Sequence, residues 1–140
     1  MQITNFQDLL MAAALQDQAQ RLLMVFAGAT LPAGASAEQI ADFEAGHGGE
    51  LAPLMCVDKL PQELGSFEAL AEEANRVLSA HQQHWQIVFV ASLSGGTGQA
   101  PSAEQADKAL QAMVESIKAG RIAGFIPFNR QGTPVNLQAR

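Results

Sequence analysis

The sequence predicts an α/β domain: a mostly parallel sheet of four to five strands with helices on its faces, built as helix-strand-helix-strand twice and closed by a C-terminal edge hairpin. Three observations point there. Leu22 to Ala27, and Ile87 to Ala91 within Trp85 to Leu93, are uninterrupted apolar runs with β-branched and aromatic residues, the pattern of strands covered on both faces. Segments with apolar residues at helical spacing alternate with these runs. The connections are short and punctuated by Gly and Pro, and strand-helix-strand units of this kind favour right-handed crossovers and a largely parallel sheet.

Each element has a local reason. Asn5 is a good N-cap, and Phe6, Leu9, Leu10 and Ala13 follow at helical spacing, so a first helix is expected to run to about Gln18. Strand one, Leu22 to Ala27, ends at Gly28 and a loop containing Pro32 and Gly34. Ser36-Ala37-Glu38-Gln39 has the spacing of a capping box, opening a short helix with Ile40 and Phe43 inward that ends near Gly46. His47 and Gly48-Gly49 read as loop. Leu51 to Val57 is a second strand whose hydrogen bonding is expected only after Pro53, and Asp58-Lys59 ends it. From Ser66, the stripe Phe67, Leu70, Ala71, Ala74, Val77, Leu78, His81 holds the helical period over four turns, leaving Glu68, Glu72, Glu73 and Arg76 to solvent.

The central strand then delivers the glycine loop Ser94-Gly95-Gly96-Thr97-Gly98. After Pro101, Ser102-Ala103-Glu104-Gln105 is a second capping box, and Ala106, Ala109, Leu110, Met113, Val114 and Ile117 form one stripe up to a Gly120 cap. Ile122 to Phe128 is the last long strand. Asn129-Arg130-Gln131-Gly132 is a tight turn into a short return around Val135-Asn136-Leu137, with Pro127 and Pro134 placing this hairpin at an edge. The chain reads as one domain over residues 1–140. The recurrence of the capping box, and the likeness of Val25-Phe26-Ala27 to Val88-Phe89-Val90, raises an internal duplication of about 1–60 and 61–140.

Composition restricts the function classes. Eight basic against fourteen acidic residues give a formal charge of −6 without a basic cluster, which argues against a nucleic-acid partner. The single Cys excludes a disulfide scaffold and points to a reducing, cytoplasmic setting. The apolar stretch Met11 to Leu15 is too short to span a membrane, and no Lys or Arg precedes it as in a signal peptide. With nearly half the residues apolar and only 16% charged, the polar surface is thin, and self-association is the expectation.

A parallel sheet gathers its strand ends on one rim, where α/β ligands bind. That rim is expected to carry Thr30, Asp58, Lys59, Ser94, Gly95, Gly96, Thr97, Gly98, Asn129 and Arg130. Glycines let backbone amides approach an anion, and the following helix start adds partial positive charge. Ser94 to Gly98, Ser102, Asp58 and Arg130 are therefore the candidate site for a small anionic or phosphorylated ligand. The loop lacks the third glycine of a dinucleotide fingerprint and the Gly-Lys-Ser/Thr of a nucleoside triphosphate loop. Cys56 needs a His beside it to act as a nucleophile, and a small packed residue is the commoner reading. His81 and His84 stand i and i+3 without a third ligand at metal spacing; His81 reads as half-buried at a helix end. No cofactor and no metal are expected.

The stretches Arg21 to Ala29, Phe43 to Gly49, Pro53 to Lys59 and Met113 to Gly120 together resemble a small proteobacterial family. Some members carry the label "ribonucleotide reductase subunit alpha". The resemblance covers nearly the whole chain and implies a lineage, but no activity and no site residues. The reading that follows is a noncatalytic homo-oligomeric interaction or regulatory module. The alternative is a binder of, or enzyme acting on, a small anionic ligand at Gly95 to Gly98.

Overall fold

The structure, a computed structural model, describes residues 3–16, 19–30, 34–44, 50–95 and 99–135. Its elements are α1 (Phe6–Ala14), β1 (Gln20–Thr30), α2 (Ala37–Glu44), β2 (Glu50–Lys59), α3 (Phe67–Ser79), β3 (Ile87–Ser94), α4 (Ala103–Lys118) and β4 (Ile126–Phe128), with a 3-10 turn at Pro61–Glu63 before α3. The alternation of helix and strand is as the sequence predicts. The strand directions are not.

The sheet has four strands in the order β2-β1-β3-β4, and every neighbouring pair is antiparallel. This corrects the mostly parallel expectation, and the reason is physical. The apolar runs record burial on two faces, which parallel sheets require and antiparallel ones also allow. Leu22, Met24 and Phe26 of β1 face α1 and α3, whereas Leu23, Val25 and Ala27 face α4, so β1 is apolar throughout because it is central. The helices between strands misled in the same way: α2 and α4 join antiparallel neighbours, β1 to β2 and β3 to β4. Only α3 joins two strands that run the same way, β2 and β3, with β1 between them.

The larger core lies on the α1/α3 face. Phe6 packs edge-to-face on Phe67 and Phe128 at 5.2 and 5.4 Å, and Trp85 on Phe26 at 5.0 Å. Trp85 is fully buried and its indole N–H donates to Asn75 Oδ1 at 2.9 Å. On the other face Ala106, Leu110, Met113 and Ile117 of α4 cover β1 and Phe89. The first helix begins as expected, with Asn5 Oδ1 accepting from the Asp8 N–H at 2.9 Å, but stops at Ala14, short of the expected Gln18, which lies outside the described residues.

β2 starts at Glu50, before Pro53, where the sequence places its hydrogen bonding only after the proline. The register explains how: Phe26 faces Met55 and Ala27 faces Pro53, so Leu54 is the extra residue of a bulge. The Gly95 N–H donates to Ala19 O, so by alternation Leu22, Met24 and Phe26 turn their backbone groups to β2 and Ala27 turns away from it. The missing N–H of Pro53 therefore falls on the outer edge, where it costs the sheet nothing.

The last strand is shorter than Ile122 to Phe128, because the Phe125 N–H donates to Ile122 O at 3.1 Å and turns the chain before Ile126. The edge hairpin is there in outline. Asn129 Oδ1 accepts from the Gln131 and Thr133 amides, Phe128 bridges Pro134, and Gly132 takes φ +80° with the Phe67 ring against it. Asn136 and Leu137 lie outside the described residues.

Candidate functional site

Because β2 and β3 run together with β1 opposed between them, the end of β2, the start of β1 and the end of β3 share one rim. The sequence expectation of a common rim survives for Asp58, Lys59, Ser94 and Gly95, and the candidate-site residue Ser102 lies beside Ser94 and Gly95. It fails for Thr30 and Arg130. Thr30 pairs with Glu50 at the other end of β1, and Phe128, just before Arg130, pairs with Val88 near the start of β3. Arg130 lies with its guanidinium 5.5 Å from the Trp85 ring centre and 3.4 Å from Asn75 Oδ1. An antiparallel sheet splits strand ends between two rims, which is why these residues part company. Gly96, Thr97 and Gly98 lie outside the described residues.

Sequence reasoning missed the two residues that organise the rim. Arg21 reaches from β1 to Asp58 on β2, Nη1 to Oδ2 at 2.5 Å, and its Nε donates to Pro101 O at 2.9 Å. It thereby fastens the end of β2 and the approach to α4 to the central strand. Gln20 is the buried polar side chain beside it, 7% exposed. Its Oε1 accepts from the Ser92 hydroxyl at 2.6 Å and its Nε2 donates to Ser94 Oγ at 2.9 Å. The available signal was slight: two polar residues opening an apolar strand, and an acid near the end of another.

The glycine and serine of the expected anion loop are engaged with their own chain. A Cβ on Gly95 would run into Gln99 O, so the backbone of Gln99 to Pro101 against residue 95 requires glycine there. Ser102 Oγ accepts from the Gln105 N–H at 3.1 Å, and Gln105 Oε1 accepts from the Ser102 N–H at 2.8 Å. This is the capping box of the sequence, and it satisfies two of the helix-start donors on which an anion would rely. Glu104 adds an acid to that first turn.

Two hollows open on this rim. One, of about 400 Å³, is lined by Ser94, Gly95, Gln99, Pro101, Ser102 and Gln105, with Ala100 at its boundary. The second, of about 380 Å³, lies on the other side of Ala100 between the end of α1 and Leu60-Pro61. The first offers neutral hydroxyls and amides. The nearby guanidinium of Arg21 is turned to Asp58 and Pro101.

The remaining candidates separate. Asp58 and Lys59, at the end of β2, are each paired within the chain: Asp58 with Arg21, and Lys59 with Glu73 of α3 at 3.2 Å. Cys56 is exposed on β2, and partial burial followed by the charges of Asp107 and Asp58 pushes its thiol above the usual 9.0. That environment disfavours the thiolate a nucleophile needs. α3 ends at Ser79, so His81 lies exposed in the following turn and not in the apolar stripe. His47 lies outside the described residues. Among the described residues no three His, Cys, Asp or Glu side chains come together as metal ligands, and no helix is long and apolar enough to cross a membrane. In comparisons with known proteins the chain matches no family model, no curated protein and no solved structure.

Proposed function

We propose that this protein is a noncatalytic module that acts through protein contacts, with a second copy of itself as partner. The observation that carries the reading is the pair Met11 and Leu15, one turn apart at the end of α1 and 51% and 68% exposed. Neighbouring large apolar side chains left in water are compatible with a surface that meets another protein. Sedimentation velocity over a concentration series tests it: a dimer or higher oligomer is expected, and a strict monomer throughout rejects the reading. The lone Cys and the acidic balance support a cytoplasmic protein without a nucleic-acid partner.

A second reading, a small anionic or phosphorylated ligand at the glycine loop, draws on the hollow that gathers Ser94, Gly95 and Ser102. Thermal unfolding with inorganic phosphate and a nucleotide panel discriminates. A ligand at a hundredfold its dissociation constant adds roughly 2.7 kcal/mol, and the absence of a shift with every anion removes this alternative.

A further inference from the structure

We draw no further inference here: the strongest candidate, the hollow between the end of β3 and the start of α4, belongs to the site already described, and Gly96 to Gly98, which stand between two of its lining residues, lie outside the described residues.

Discussion

The helices α2 and α4 open with the same four residues and the same hydrogen bonds, yet among the described residues only α4 carries an apolar stripe into the core. In each, the serine N–H donates to the Gln side chain at 2.8 Å and the serine oxygen accepts from the Gln N–H at 3.1 Å. From there they diverge. α4 runs sixteen residues and buries Ala106, Leu110, Met113 and Ile117, whereas α2 runs eight and leaves Ile40 39% exposed. A capping box fixes where a helix begins; an apolar stripe long enough to reach the sheet decides whether it belongs to the core. Isolated helices shorter than about 12–15 residues are marginal in water, so α2 depends on its cap more heavily than α4 does.

The widest gap between the two is expected in their apolar residues. Leu110→Ala should destabilise the protein by about 2–5 kcal/mol, through lost transfer energy and the cavity left behind. Ile40→Ala should stay within about 0.5 kcal/mol, as surface changes do. Urea denaturation of the two variants measures both. A large loss at Ile40 would mean that α2 is packed after all.

Next comes the tie ahead of α4. Arg21→Met keeps an apolar stem in place but leaves the Asp58 carboxylate and Pro101 O without their donor. The pair is partly exposed, so solvent offsets much of the loss, and about 1–2 kcal/mol is expected. The double variant Arg21→Met, Asp58→Asn should recover part of it, because it removes the unpaired charge as well. Equal loss in single and double variants would show that Arg21 acts through Pro101 alone.

The caps give a smaller contrast. Ser102→Ala should cost about 1 kcal/mol of global stability, because α4 unfolds with the core. Ser36→Ala removes the same bonds, but its effect should appear as faster amide exchange in Ala37–Glu44 with the denaturation midpoint nearly unchanged. Equal midpoint shifts would contradict the division between an anchored and an unanchored helix.

These differences also mark what was legible in the sequence. Both boxes, the stripes of α3 and α4 and the central β1 and β3 could be read because each is local: a side chain three residues from its donor, or a period of 3.6 within one segment. Strand direction could not. Leu22 to Ala27 is apolar because α1 and α3 lie on one side and α4 on the other, and that burial is identical whichever way the neighbouring strands run. A parallel sheet would put Arg130 on the rim with Asp58, whereas the antiparallel sheet sends it to Trp85 at the far end. Arg21 leaves no local pattern for the complementary reason. Its partners are 37 and 80 residues away, and only the register of three strands brings them within reach. Of the two residues expected inward on α2, Ile40 is 39% exposed, and the Phe43 side chain lies outside what the structure describes.

The finest probe of how α4 sits uses the native thiol. Asp107 of α4 acts on Cys56 of β2 through its charge, a link that exists only while the helix lies over that strand. Burial, Asp107 and Asp58, in that order, hold the thiol above its usual 9.0, so alkylation by iodoacetamide near neutral pH should be slower than for a free cysteine and should quicken as pH rises. The sign for stability follows. The folded state keeps its proton to higher pH than the unfolded chain, so the contribution is whole below about 9.0 and fades as pH climbs through the raised folded value. Asp107→Asn should lower the thiol toward its usual value and speed alkylation modestly, while Glu104→Gln, a turn earlier on the same helix, should leave the rate alone. If Asp107→Asn and Glu104→Gln change the rate equally, the helix is not held in this register over β2, and the contrast with α2 narrows accordingly.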